Sequence, residues 1–167
     1  KPESYHFPVE LNLNHNNFPQ TYFGVDAACE DNQVYRHLAR YFEGDNKLTA
    51  ISNAIDLIPG TGWYMPACTL HAPGSLLTYE LQVASDVTCI PESRVDDVVM
   101  PVDLLDRDLP VSTKQDGMDA VFGHILSMIR CPYSGNSDNF REHYYRPPVR
   151  VRQDGDRSQD FVIYRCG

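Results

Sequence analysis

The sequence predicts a mainly β fold, an antiparallel barrel or sandwich with helical insertions. Short strand-like stretches recur over residues 47–91, and Pro-Gly, Gly-Thr-Gly and Ala-Pro-Gly turns separate them. Apolar and polar residues alternate with a period of two over 9–14 and over 75–83, as they do in half-buried strands. Helical periodicity occurs in two segments, 29–42 and 116–131, which is unlike the regular strand–helix alternation of a βαβ protein.

The amino-terminal part is predicted to form a strand and then a helix. Val9, Leu11 and Leu13 share one face of the first strand, and a run of Asn residues ends it. Over 29–42 apolar residues recur at helical spacing, acidic residues stand near the start, and Gly44 fits a C-cap. We therefore expect a helical excursion between two groups of strands.

The segment 75–83 has the clearest strand pattern in the middle of the chain. Its apolar residues share one face and its polar residues share the other. The polar face must contact either a barrel lumen or solvent, so its carboxylate is either an inward-facing group or a solvated one. The two faces consist of Leu77, Tyr79 and Leu81, and of Thr78, Glu80 and Gln82.

Two units are predicted from these elements. Residues 1–112 are expected to form the barrel, with the helical excursion near 29–42. Residues 113–167 are expected to form the second amphipathic helix and then a polar, Pro-containing arm or linker. The last residues of this arm are strand-like, so the arm could lead to a second barrel.

Composition and charge exclude several function classes. The net charge is −9 and the pI is about 4.9, which argues against a nucleic-acid partner or an anionic membrane surface. No apolar run approaches the roughly 20 residues of a membrane span, so no membrane partner is expected. The five cysteines are widely spaced and odd in number, which favours reduced thiols and a cytoplasmic location.

The stretch GTGWYMPACTLHAPGS, from Gly60 to Ser75, places one histidine between turn formers. It resembles the second motif of the cupin superfamily, Gly-x5-Pro-x-Gly-x2-His-x3-Asn, at every spacing. Two positions differ, because Cys68 replaces the second Gly and Ser75 replaces the Asn. In cupins this motif forms a hairpin whose His points into the barrel as a metal ligand. The resemblance therefore implies a cupin β-barrel with His71 as an inward-facing ligand.

The resemblance extends to a group of sugar-isomerase-like cupins related to class I mannose-6-phosphate isomerases. The stretches PQTYFG, EGDN, SDV and YYRPPV are similar to that group, closely over about 8–90 and loosely over about 110–166. It implies that the chain is either the first half of a two-barrel protein or a shortened relative. It also implies that a homodimer could form through edge strands.

The first cupin motif is incomplete in this chain. The matching stretch, ELNLNHNNFPQTYFG, has neither His-x-His nor a Glu at the proper distance. His15 and Gln20 are its nearest metal-capable side chains, and the resemblance implies that either could assist His71 in holding a divalent metal, Zn or Fe/Mn. The structural alternative is a hydrogen-bonded His71 at a hairpin beside a solvated His15 and Gln20.

Four further residues are candidates for binding or catalysis. Glu80 could be a ligand or a general base if its strand face is the lumen. Tyr22 and Trp63 could form an apolar floor on which a sugar stacks, although aromatic residues on strands usually belong to the core. Lys47 could pair with a phosphate or carboxylate of the substrate, although a solvated turn lysine is the commoner case.

The leading hypothesis is a metal-dependent cupin that isomerises a sugar or sugar phosphate. In it the metal polarises a carbonyl and hydroxyl pair, and a lumen base moves a proton between adjacent carbons. The alternative is a degenerate, non-catalytic cupin that acts as a carbohydrate-binding or dimerisation module, which the incomplete first motif favours. A cupin dioxygenase or lyase is a weaker alternative.

Overall fold

A computed structural model describes residues 1–13, 20–72, 74–131, 142, 144–147, 150–151 and 161–162. Two larger antiparallel sheets, two two-stranded ones and several helices make up this part of the chain. The strands are β1 Glu3–His6, β2 Gln20–Val25, β3 Ser52–Asp56, β4 Gly62–Met65, β5 His71–Ala72, β6 Tyr79–Gln82, β7 Arg94–Val95, β8 Val98–Val99, β9 Tyr145–Arg146, β10 Arg150–Val151 and β11 Phe161–Val162. The helices are α1 Asp31–Ala39, α2 Asp103–Asp106, α3 Val111–Gln115 and α4 Met118–Ile129, with 3₁₀ turns at Tyr41–Glu43 and Leu48–Ile51.

The first sheet has the strand order β6-β1-β4-β9, and the second has the order β3-β2-β5. The two-stranded sheets are β7-β8 and β10-β11. In the first sheet Tyr5 lies opposite both Trp63 and Glu80, so these three side chains share a face. In the second sheet Phe23 lies opposite His71. The Phe23 ring centroid is 5.1 Å from that of Trp63 and 6.4 Å from that of Tyr5, so these two faces are turned toward each other.

The inter-sheet space is apolar at one end. Its buried side chains exclude water and hold the two sheets together. They are Phe7, Phe23, Leu57, Trp63, Met65 and Leu76.

A second core lies between the second sheet and the helices. Helix α1 begins with a capping box, in which Glu30 and Gln33 satisfy each other's backbone amides, and it buries Val34 and Leu38. Helix α4 packs against α1 through one apolar face. The buried members of this core are Val25, Val34, Leu38, Tyr41, Leu48, Leu105, Leu109, Val121, Phe122, Ile125 and Ile129.

The prediction of antiparallel sheets with helical insertions is confirmed. Helix is as prominent as strand, however, so the described part is a mixed α/β structure rather than a mainly β one. Within the residues that the structure describes, neither sheet closes into a barrel.

The strand predicted over 9–14 is wrong for its described residues. Turns occupy this stretch, and Val9, Leu11 and Leu13 are 46%, 60% and 71% exposed. The reason lies in Asn12, whose side chain is buried and exchanges hydrogen bonds with the backbone of Leu77. An Asn that satisfies backbone groups in this way stabilises a turn instead of a strand.

Both predicted helices exist, with shorter bounds for the first. The predicted helix over 29–42 is α1 followed by a 3₁₀ turn, and Gly44 ends that turn with φ of +106°. The second is α4, which shares its core with residues of the predicted barrel unit, and β9 pairs with β4. Contacts therefore cross the predicted boundary at 112. Among the described residues, none of the helices has the length and apolar character of a membrane span.

Candidate functional site

A polar cleft lies between the sheets beside their apolar end. Its volume is about 510 Å³, and Glu3, Tyr5, His71 and Glu80 line it together with Lys1 and Gln82. The opposite wall comes from the segment 87–91 and from α4. The cleft lies directly beside the buried Trp63. The space between the two sheets is therefore filled with apolar side chains at one end and lined by polar ones at the other.

The strand register explains how these side chains meet. Glu3 and Tyr5 are two positions apart on β1, so both side chains are on its inner face. Tyr5 lies directly opposite Glu80 of β6. The turn before β5 then positions His71 from the other sheet. In this turn Cys68 has a φ of +64°, and the Nδ1–H group of His71 donates to the carbonyl oxygen of Thr69 at 2.9 Å.

His71 and Glu3 form a directly hydrogen-bonded ion pair. The distance between His71 Nε2 and Glu3 Oε2 is 3.1 Å, and the Glu3 side chain is only 9% exposed. Since the other ring nitrogen faces a carbonyl oxygen, both nitrogens must carry protons when Glu3 is ionised. Burial opposes the charge on His71, but the hydrogen bonds with Glu3 and Thr69 outweigh burial, and its pKa lies above 6.5. The hydrogen bond with His71 lowers the pKa of Glu3.

Glu80 has the opposite electrostatic environment. Desolvation and the neighbouring Glu3 carboxylate raise the pKa of Glu80 above its ordinary value. Glu3 is in turn held by a hydrogen bond from the Tyr5 hydroxyl at 3.2 Å and by Lys1 Nζ at 3.9 Å. The cleft thus contains two carboxyl groups whose pKa values are shifted in opposite directions, which is the arrangement that assigns acid and base roles in many active sites.

A second, apolar cavity of about 310 Å³ adjoins this cleft. His71 borders both spaces, because it lies on β5 at the edge of the second sheet as far as the structure describes it. Tyr22 and Glu92 also line the apolar cavity. Burial raises the pKa of the Glu92 carboxyl, which accepts hydrogen bonds from Thr49.

The structure brings three of the predicted site residues to this region. His71 and Glu80 face the polar cleft, and Tyr22 faces the apolar cavity. Trp63 is instead 2% exposed and packs between Phe23 and Tyr145, so it belongs to the core and forms no sugar-stacking floor.

Two other predicted site residues lie apart from His71. Gln20 is three residues before Phe23 on β2, so it is on the opposite face of the sheet from His71. There its side-chain amide donates to Asp56 at 3.1 Å. Lys47 is exposed at the start of a 3₁₀ turn and lines neither the polar cleft nor the apolar cavity. His15 lies outside the described residues.

Of the ligand set that the resemblance implied, the structure describes His71 and Gln20 and does not bring these two together. His71 and Gln20 lie on opposite faces, and both ring nitrogens of His71 already face oxygen atoms. In the part of the chain that the structure describes, no group of three His, Cys, Asp or Glu side chains is arranged to hold a metal ion. The chemistry that this arrangement itself offers is proton transfer.

Two residues of the site, Glu3 and Tyr5, were missed by sequence reasoning. The signal was present, because ESYHF alternates and places Glu3, Tyr5 and Phe7 on one face. The first strand was instead predicted over 9–14, because the alternation there is longer. A carboxylate on the same face as a core aromatic residue is a usable sign of an inward-facing polar group.

Comparison of the chain with protein-family models, curated proteins and solved structures gives no significant match. Inference about function therefore rests on the geometry of the cleft and on the motif spacing in the sequence.

Proposed function

We propose that the chain is an acid–base enzyme that moves a proton on a small polar molecule bound in the cleft. The observation that carries this proposal is the placement of Glu80 beside the Glu3–His71 ion pair on inward-facing strand positions. A strand pattern with a polar inner face and an apolar outer face costs stability, so it calls for a functional reason. The resemblance to sugar-isomerase-like cupins supplies the reaction class, interconversion of an aldose and a ketose.

Each group then has a role that follows from its surroundings. Glu80, whose pKa is raised above its ordinary value, is the base that takes a proton from one carbon and returns it to the next, while the proton of the hydroxyl group passes to the former carbonyl oxygen. The N–H groups of the His71 imidazolium donate to Glu3 and Thr69, so His71 acts through its positive charge, which stabilises the oxygen that becomes negative in the transition state. Glu3 keeps His71 protonated, and the backbone oxygen of Thr69 fixes the orientation of its ring.

Local backbone geometry supports the cupin part of the proposal. Cys68 stands where the cupin motif has Gly, and its φ of +64° is in the region that favours glycine. Gly60, the first residue of the motif, also has a positive φ, +85°. We therefore propose that the two facing sheets belong to a cupin barrel.

The first experiment is a screen of unphosphorylated and phosphorylated aldoses and ketoses for exchange of the proton next to the carbonyl, followed by NMR in deuterated water. Glu80→Gln is expected to reduce the exchange rate by roughly 100- to 10,000-fold. Glu10→Gln, at an exposed turn outside the cleft, is the matched control and is expected to leave the rate unchanged. Exchange that survives in Glu80→Gln would contradict the role of the base.

Metal content decides between this proposal and the metal-dependent one. Elemental mass spectrometry is applied to untagged protein and to a His71→Ala variant. Activity that persists in metal-free protein is expected here. Stoichiometric zinc, iron or manganese that is absent from the variant, with activity lost on chelation, would replace the acid–base proposal by the metal-dependent isomerase that the resemblance implied.

One observation favours a second candidate function, a dimerisation module. Leu77, Tyr79, Leu81 and Val83 are all more than half exposed on or next to β6, which pairs only with β1 among the described strands. An exposed apolar edge of this kind is suited to pairing with a second copy. Light scattering after chromatography should then show a dimer that Leu81→Lys converts to a monomer, and a monomeric native chain would remove this candidate.

A further inference from the structure

The polar cleft and the apolar cavity share a wall. Leu70, His71, Cys89, Ile90 and Pro91 line both spaces, so the two meet around β5 at the edge of the second sheet as far as the structure describes it. Their chemistry differs sharply. The cleft contains the carboxylates and the imidazole, whereas the wall of the cavity is largely apolar.

The apolar cavity has the size and lining of a ligand subsite. Its volume of about 310 Å³ is roughly twice that of the ~150 Å³ engineered cavity that binds benzene. Its apolar wall consists of Leu48, Leu70, Ala72, Ile90, Val95 and Met100, and Tyr22 adds one aromatic ring. A phenyl or short alkyl group fits this space and would be removed from water there.

The charges of the lining argue against a phosphate group. None of the described residues around the apolar cavity is Lys or Arg, and Glu92 adds a carboxyl group to it. Around the polar cleft Lys1 is the one Lys or Arg among the described lining residues, and it already contacts Glu3 and the backbone oxygen of Ser85. Both positive side chains that the structure describes around the cleft, Lys1 and the His71 imidazolium, already contact Glu3, so their charges are compensated and would attract a dianion only weakly.

We propose that the two spaces are subsites of one uncharged amphiphilic substrate, with its hydroxyl and carbonyl groups in the polar cleft and an apolar group of up to about ten carbon atoms in the apolar cavity. This inference rests on the proposed function and narrows its substrate class. It favours an unphosphorylated hydroxy ketone that carries an alkyl or aryl substituent over a sugar phosphate.

Two matched ketones test the proposal by calorimetry. 1-Hydroxybutan-2-one has the reacting groups alone, and 1-hydroxy-4-phenylbutan-2-one adds a phenyl ring to them. Burial of the ring is expected to tighten binding roughly 10- to 100-fold. Equal affinity for the two ketones would overturn the proposal, as would tighter binding of a sugar phosphate than of the phenyl ketone.

Variants locate the effect in the apolar cavity. Ala72→Leu fills it and should abolish the gain from the phenyl ring without weakening the smaller ketone. Ala54→Leu is the matched control, because Ala54 and Ala72 both pair with Tyr22 but Ala54 does not line the cavity. Val95→Phe fills the cavity from another wall and replaces Ala72→Leu if that strand variant does not fold. A gain that persists in the filled variants would overturn the proposal.

A third probe separates failure of this inference from failure of the proposed function. 2-Phenylethanol has the apolar group without the reacting ketone, so its binding depends on the apolar cavity alone. The protein could bind 2-phenylethanol, lose that binding in Ala72→Leu, and yet exchange no ketone proton. This result would contradict the proposed function and support the apolar subsite. Ketone proton exchange without any contribution from the phenyl ring would do the reverse.

Discussion

The two ends of the inter-sheet space are built from the same two sheets but with opposite chemistry. At one end, Phe7, Phe23 and Trp63 are at most 2% exposed and pack against one another. At the other, the same faces of β1 and of the second sheet present Glu3 and His71, with their polar atoms 3.1 Å apart. Only three residues of chain separate the Glu3 carboxylate from the buried ring of Phe7, which directly follows β1.

This difference shows where the molecule gives up stability. The apolar end removes large side chains from water, which is the main favourable contribution to folding. The polar end holds two carboxyl groups and an imidazole in a partly desolvated cleft, which is favourable only where they are paired. In β6 the pattern is even reversed, since Leu81 faces solvent and Glu80 faces the cleft.

The largest expected effect on stability comes from removing an aromatic ring at the apolar end. Phe23→Ala is expected to lower the free energy of unfolding by about 3–5 kcal/mol, because Phe23 is fully buried between Trp63 and Tyr5. Denaturant unfolding measures the change. Phe42→Ala, at a residue that is 62% exposed, should change stability by less than about 0.5 kcal/mol. Similar losses in both variants would contradict the division of the molecule into a sealed and a polar end.

Breaking the Glu3–His71 ion pair at the polar end is expected to lower the free energy of unfolding by less than Phe23→Ala does. Glu3→Gln should lower the free energy of unfolding by about 1–2 kcal/mol, because a charge-assisted hydrogen bond is lost and His71 can respond by giving up its proton. The loss depends on pH. The lowered pKa of Glu3 contributes stability above 4.5, its ordinary value, and the raised pKa of His71 contributes stability below 6.5, its ordinary value.

The difference between the native chain and Glu3→Gln should therefore be largest between about pH 4.5 and 6.5. It should shrink as the pH falls through the lowered pKa of Glu3, and also as it rises through the raised pKa of His71. Urea unfolding at a series of pH values measures this profile. Glu43→Gln removes an exposed ion pair with Arg40 and should give a small, flat difference. A flat profile for Glu3→Gln as well would show that the pair has no net effect on folding.

The sequence predicted the elements whose periodicity dominates their surroundings. Helices α1 and α4 each bury one apolar face, so helical spacing located both. The stretch 9–14 failed because its apolar residues alternate without being buried, while Asn12 fixes turns there through long-range backbone contacts. Such contacts join residues far apart in sequence and leave no local pattern.

The candidate site was predictable only where a motif marked it. His71 was found from the spacing of turn formers around it, and Glu80 from the alternation in β6. Gln20 was predicted as a metal ligand because it lies in the incomplete first motif. Side chains alternate between the two faces along β2, however, and Gln20 is on the opposite face from His71. The alternation in ESYHF could have marked Glu3 as inward-facing, but its neighbours in the site depend on pairing between β1 and two distant strands, which no local pattern shows.

Backbone strain in the turn before β5 gives a third, smaller prediction. Cys68→Gly should raise the free energy of unfolding by about 0.5–1 kcal/mol, because a φ of +64° is disfavoured for residues with a Cβ atom but not for glycine. The greater freedom of glycine in the unfolded chain offsets part of the gain. Thermal unfolding of Cys68→Gly and of Cys68→Ala provides the comparison. Alanine keeps the Cβ atom, so an equal gain in both variants would trace the effect to the thiol instead of the backbone.

The smallest expected effect lies at Glu80 itself, and it has the opposite sign to the effect at Glu3. The raised pKa of Glu80 means that its ionised form is disfavoured in the folded chain above 4.5, its ordinary value. Glu80→Gln should thus stabilise the protein at pH 7 by about 0.5 kcal/mol, a modest gain because solvent screens this partly exposed side chain. The gain should vanish below pH 4.5, where Glu80 is protonated in both states. Unfolding at pH 7 and pH 4 measures it. A variant that is more stable at neutral pH yet inactive would show that the polar end is kept for its chemistry, whereas destabilisation at pH 7 would place Glu80 among the groups that hold the two sheets together.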